Sequence, residues 1–294
     1  MALLVNGQPV DPNLLDAEFG NVKSYFERLG NVSCCERDEE FRGYAKQNVV
    51  SRMLLTQHAL ASTAPLPAEE VEAAFAALKE QHGGDVRFYS SIGATPEQDE
   101  LIKRDVESNL RVERFVEGLC GNIDPGEEEL RGFYEKNVGV FMTAEEVRAS
   151  HISKAPPRGE ERASVYETFR AVRKQLLAGA DFDELARQHS DRGQDLIDLG
   201  FFGRGQLPEE FEHVAFSMEV GEVSPVFSSP VGYHIVKVTD RKPARPKAFD
   251  EVREDVKRLY VENRRQEKVR ELVKTLEAGA RIEEVADEPI ESST

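Results

Sequence analysis

The spacing of apolar residues changes once along this chain, near Glu145, and that change limits the folds open to it. Before it, apolar side chains recur at intervals of three and four, as a buried helix face requires. Asp11-Pro12 opens a first helix with a cap and a first-turn proline, Leu14, Leu15, Phe19, Val22 and Phe26 form its face, and Gly30 closes it. A second runs from about Glu36 to Ala61, with Phe41, Tyr44, Val49, Met53, Leu54 and Leu60, and stops before Pro65 and Pro67. Pro67-Ala68-Glu69-Glu70 starts a third, which Gly83-Gly84 ends, and Thr95-Pro96-Glu97 starts a fourth whose stripe is Leu101, Ile102, Val106, Leu110 and Phe115. A shorter helix with Leu130, Phe133 and Tyr134 follows Asp124-Pro125. Leu3 to Val10 reads as two extended pieces around the turn dipeptide Asn6-Gly7.

Past Glu145 the period drops to two. Val147 to Ser153 alternates like a strand, 160–178 and 181–188 return to helical spacing, and Gly193 to Gly205 reads as a glycine-rich loop. A short helix at Phe211 to Ser217 and a strand at Tyr233 to Val238 complete an α+β domain. Phe249 to Leu276 is a long charged helix, polar all round at Asn263 to Gln266. The expected division is a helical part at 1–142, an α+β domain at 143–242, and a last segment at 243–294.

The balance of 38 basic against 55 acidic residues, a formal charge of −17, repels nucleic acid and anionic lipid, so neither is expected as a partner. No run of about 18 apolar residues occurs, so no membrane-spanning helix is expected. Cys34, Cys35 and Cys120 cannot all pair within one chain, and Ala2 to Val5 is too short for the apolar core of an export signal; the cytoplasm is the expected compartment, with an exported protein whose leader has been removed as the alternative. Cys34-Cys35 lacks the CxxC spacing of redox sites. The sequence offers no phosphate loop, Cys/His ligand cluster or nucleophile motif, so no metal or cofactor is expected.

The chemistry lies in an ordered set of fragments: Arg148-Ala149-Ser150-His151-Ile152; Asp198-Leu199-Gly200-Phe201-Phe202-Gly203-Arg204-Gly205-Gln206-Leu207; Phe211; Ala215-Phe216-Ser217; Gly221-Glu222-Val223-Ser224-Pro225-Val226; and Gly232-Tyr233-His234-Ile235-Val236-Lys237-Val238. Each is weak alone. In this order, over nearly 100 residues, the set resembles the parvulin family of peptidyl-prolyl isomerases. The resemblance implies a four-stranded antiparallel sheet of FKBP-like type with helices, joined here to an all-α chaperone-like module. It implies that His151 and His234 lie side by side on central strands, with Ser229 joining their hydrogen-bond network. Leu199, Phe202, Leu207 and Phe211 line a cup for the proline ring, and Gln206 sits at its rim. Asp191 stands nearest to the Cys or Asp that parvulins carry after the serine matching Ser190, although Arg192 and Gly193 follow it directly. Leu196-Ile197 replaces the usual Gly-Gly, and Glu160 and Glu161 dilute the basic loop residues Lys154, Arg158 and Arg162, which argues against selection of phosphorylated Ser-Pro.

Such an activity needs no covalent step. Rotation about X-Pro has a barrier of roughly 18–20 kcal/mol, from amide resonance, so a site that favours the twisted amide suffices. The flanking segments, with Val5-Asn6-Gly7-Gln8 at the start and Phe133-Tyr134-Glu135-Lys136-Asn137 leading through Phe141 to the first parvulin strand, are similar to those of bacterial foldases of the SurA and PrsA type. That resemblance implies that 1–142 is a chaperone-like domain and that the helix and short strand of 243–294 pack back on it, Arg281 to Val285 pairing with Leu3 to Val5. The clients implied are unfolded or nascent polypeptides containing X-Pro bonds, and the competing class is a holdase that grips peptide but turns it over poorly.

Overall fold

The computed structural model describes residues 2–28, 37–155, 161–191 and 197–285. Cys34, Cys35, Arg158, Glu160, Arg192 and Leu196, singled out above, lie outside them. Tertiary contacts divide the chain into two units, Met1–Pro125 with Lys257–Thr294, and Gly126–Val256. The second unit is therefore wider at both ends than the expected 143–242.

The first unit begins with β1 (Ala2–Val5) and β2 (Gln8–Pro9), joined through Asn6 and Gly7, whose φ angles of 52° and 80° are those of a tight hairpin turn. Five helices follow: α1 (Pro12–Arg28), α2 (Asp38–Ser62), α3 (Ala68–Gln81), α4 (Asp85–Ile92) and α5 (Asp99–Cys120). Helix α4 was not legible in the spacing, because Gly83-Gly84 reads as a stop. Here Gly84 precedes a new first-turn acid, Asp85, and Phe88 is buried. Thr95 and Gln98 close a capping box ahead of α5, whose Leu101 is exposed rather than part of a buried stripe. The Arg111 guanidinium of α5 donates to the Leu60 carbonyl (2.5 Å) and to Thr63 Oγ1 (3.1 Å), satisfying groups that the end of α2 leaves open. Leu3, Val5 and Val10 pack with Val49, Val50 and Leu54 of α2, while Phe26 of α1 stacks on Phe41 at 4.9 Å.

In the second unit α6 (Glu127–Lys136) is followed by β3 (Glu146–Lys154), α7 (Glu161–Leu177), α8 (Phe182–His189), β4 (Asp198–Phe202), α9 (Glu209–Ser217), β5 (Phe227–Ser229) and β6 (Gly232–Lys242). The chain then enters α10 (Phe249–Gly279), which starts in this unit, and ends its described part with β7 (Ile282–Val285). β7 pairs antiparallel with β1, Val5 opposite Ile282, giving the order β2-β1-β7, so the helical unit carries a small sheet of its own.

The sheet of the second unit has the order β4-β3-β6-β5, every pair antiparallel, which leaves β3 and β6 central. β4 lies inside the segment expected to be a loop. Gly200 has a φ of 67° and masks a strand whose pairing with β3 is long-range. One face of the sheet, with Val147, Ala149, Val236 and Val238, packs beneath Phe211, Ala215 and Phe216 of α9. The other, with Ile152 and Ile235, packs against Phe169, Val172, Phe182 and Leu185 of α7 and α8. Both faces are covered, as the near-continuous burial of β3 requires.

Candidate active site

The face beneath α9 changes character toward one end. Ala149 pairs with Val238, His151 with Val236 and Ser153 with His234, so the apolar residues give way to two imidazoles on the same face of adjacent strands. Both histidines are buried, and their rings lie 6.0 Å apart and nearly parallel, at 16°. Phe211 stands almost perpendicular to both, 5.8 Å from His151 and 5.6 Å from His234. Ser229 Oγ, on the edge strand β5, is 2.8 Å from His234 Nε2 and accepts from the Val231 N–H at 3.2 Å. Gly232 makes this crossing possible: its φ is +139°, and a Cβ there would lie 2.0 Å from the Lys154 carbonyl oxygen.

Above the imidazoles is an open apolar recess of about 250 Å³, lined by His151, Leu199, Leu207, Pro208, Phe211, Val231 and His234. Of the expected cup residues, Leu199, Leu207 and Phe211 line it. Phe202 does not: it is buried one layer deeper, 6.0 Å from Phe211 and edge-on to Phe216, where it supports the ring that does. Gln206 is exposed, and its Oε1 accepts from the Gly203 N–H at 3.0 Å, which folds the loop at the recess margin. Asp191 is placed elsewhere, at the end of β3, where its carboxylate accepts from Lys154 Nζ (2.9 Å) and the Ala155 N–H (3.1 Å). Pro208 and Val231 join the lining although nothing in their sequence context marked them.

Two polar clamps fix the frame. Arg148 donates to Asp198 at 2.5 Å, tying β4 to β3 beside a bulge; that bond and the Gly200 N–H hold the Asp198 carboxyl below its ordinary value. Arg241 Nη2 donates to the carbonyls of Phe216 (3.0 Å) and Met218 (2.6 Å), closing the C-terminal end of α9.

A third was also missed. Glu212, adjacent to Phe211 on α9, is buried, and its carboxylate accepts from the N–H groups of Gly205 (2.9 Å), Gln206 (2.8 Å) and Leu207 (2.8 Å). The bond from Gly205, then those from Leu207 and Gln206, with Arg204 nearby, hold this carboxyl below its ordinary value of 4.5 although burial works the other way. The available signal was a lone acid on a buried stripe with Phe211, Ala215 and Phe216. Among the described residues no group of three or more His, Cys, Asp or Glu side chains could hold a metal ion.

Chemically, the recess offers an apolar seat for a ring of proline size, a wall of aromatic edge, and two imidazoles at its floor, one of them bonded to the Ser229 hydroxyl. Residues 125–254 match the PPIC-type PPIase domain family. Foldase protein PrsA of Geobacillus kaustophilus is 30% identical over 266 residues, 87% of this chain and 84% of that protein. Foldase protein PrsA of Halalkalibacterium halodurans is 33% identical over 221 residues, 71% of this chain but only 60% of that protein. Among solved structures, one from a study of PEB4 and the periplasmic protein Cj1289, SurA-like chaperones of Campylobacter jejuni, matches 97% of this chain and 99% of that one at 15% identity, with a TM-score of 0.43.

Proposed function

Because the chain belongs to the PrsA foldase family and carries its PPIC-type peptidyl-prolyl isomerase domain, we propose that it accelerates X-Pro rotation in unfolded polypeptides while its helical unit holds the client nearby. The observation that carries this reading is the recess itself: an apolar seat against Phe211, directly above two stacked imidazoles.

The proline ring enters between Leu199, Leu207 and Phe211, and its amide lies toward the histidine floor. Twisting the amide ends its resonance, which leaves the nitrogen pyramidal and the carbonyl more ketone-like. A site that is apolar around the ring and weakly polar below it favours that geometry over the planar one, and such differential binding is catalysis. His151, His234 and Ser229 tune the field at the floor, and neither imidazole has to shuttle a proton. Asp191 is assigned to holding the end of β3. Leu196-Ile197 in place of the usual Gly-Gly, with Arg192 following Asp191, supports a second reading, a holdase with weak turnover.

A protease-coupled proline assay of the full chain across a panel of X-Pro peptides separates the two. The isomerase reading expects acceleration that Phe211→Ala lowers about a hundredfold, which is about 2.7 kcal/mol of transition-state stabilisation. Peptide binding without acceleration would establish the holdase instead. As to compartment, no described helix is long and apolar enough to cross a membrane. The cytoplasmic placement gains no support from the relatives, and fractionation of cells producing the full protein decides it.

A further inference from the structure

We propose that Glu212 is a positioning residue that holds the loop Gly203–Leu207 so that Leu207 forms one wall of the recess, and thereby sets how closely the site fits a proline ring. This rests on the isomerase reading and adds to it the part that governs ring fit.

After β4 the chain has no strand partner, and Arg204, Gly205 and Gln206 are exposed. Such a segment would ordinarily be held only by water. Here one buried carboxylate gathers three consecutive N–H groups, from Gly205 to Leu207, at 2.8 to 2.9 Å. The Gln206 side chain closes the same loop on the Gly203 N–H. Side chains on a helix lean toward its N-terminus, so Glu212 reaches back across the first turn of α9 to the segment that leads into it. Phe211, the next residue on that helix, forms another wall of the recess. One helix therefore places the aromatic wall through Phe211 and fixes the aliphatic wall through Glu212, so the spacing between them is set by bonded geometry rather than by loose packing. Each N–H bond to a charged acceptor is of the stronger kind, and a neutral replacement weakens all three.

Glu212→Gln keeps the side-chain shape but turns an amide N–H₂ toward at least one backbone donor. KM for a short Ala-Pro peptide is expected to rise about tenfold with kcat changed less than about twofold, and preference for proline over its six-membered homologue, pipecolate, is expected to fall. A residue that merely stabilises the fold would lower the active fraction, and so kcat, at unchanged KM. Leu207→Ala should reproduce the KM rise, and the double variant should be no worse than either single one, since both changes act through the same wall. An unchanged KM and unchanged ring preference in a folded Glu212→Gln protein would overturn the proposal while leaving the isomerase reading intact. Should that variant not fold, amide hydrogen exchange in the wild-type full chain decides: Gly205, Gln206 and Leu207 are expected to exchange slowly, and exchange at unprotected rates overturns the proposal. A wild-type protein with no isomerase activity overturns the reading and the proposal together, and that result is distinct because it appears before any substitution.

Discussion

The second unit holds an apolar recess of about 250 Å³ whose surroundings are pinned by named bonds: Ser229 to His234, Arg241 to the end of α9, Glu212 to three backbone N–H groups. The first unit presents an open groove of about 400 Å³ lined by Glu18, Asn21, Val22, Tyr25, Phe26, Tyr44 and Asn48, with Tyr25 and Tyr44 exposed on α1 and α2. The difference suits the division of tasks proposed above. Favouring a twisted amide requires groups held in place before the substrate arrives, because only a fixed site binds the strained geometry better than the relaxed one. Holding an unfolded chain requires contact area without a fixed shape. Changes in the second unit should therefore act on rate, sharply and locally, and changes in the first should act on affinity, gradually.

Gly232→Ala tests this most severely. The added Cβ would meet the Lys154 carbonyl oxygen at 2.0 Å, a backbone atom that cannot swing aside, at a φ of +139° that L residues rarely adopt. The cost should exceed about 3 kcal/mol, enough to displace the start of β6 and His234 with it. Isomerase activity should vanish while suppression of aggregation of a chemically unfolded client persists. Loss of both together would break the separation of tasks.

Ser229→Ala is gentler. It removes the hydrogen bond to His234 Nε2 at 2.8 Å and the one from the Val231 N–H at 3.2 Å without opening a large cavity. A hydrogen bond of this kind contributes about 1 kcal/mol, so kcat/KM should fall about fivefold, with Tm and client holding little changed. An unaltered rate would show that the hydroxyl does not tune the floor of the site.

How much of this was legible in the sequence depends on how far apart the partners lie. His151 and His234 could be read because both fall within the ordered set of fragments that resembles the parvulin family, and the central pairing of β3 with β6 puts them side by side. Depth could not be read. Phe202 follows a glycine with positive φ, which upsets the alternation that would have told inward from sideways, and it lies under the recess rather than in its wall. β4 itself was hidden by the same glycine, because its stability comes from β3, some fifty residues earlier in the chain by the pairing of Ser150 with Asp198. Glu212 was missed because its partners are backbone N–H groups, which carry no residue-type signature. Helix α4 was missed because paired glycines mark a break without saying that a second helix begins.

The smallest expected effect concerns the first unit and its exposed aromatic area. Tyr25 and Tyr44 are 55% and 41% exposed, so replacing both with Ser should change folding stability by no more than about 0.5 kcal/mol each. The hydroxyl of Tyr44 donates to Glu40 at 2.9 Å on the surface of α2, a bond that water can replace. What the pair of substitutions removes is aromatic area that a bound client would cover. Aggregation suppression should therefore weaken by about two- to fivefold, in line with about 25 cal/mol for each Å² of apolar surface that the client no longer buries. Turnover of a short X-Pro peptide should stay within about twofold, since such a peptide reaches the recess without being held. Acceleration of a long proline-limited client should fall by the same factor as its holding, because the proposed role of the helical unit is to raise local concentration alone. If the short peptide slows as much as the long client, the two units do not divide the work between rate and affinity.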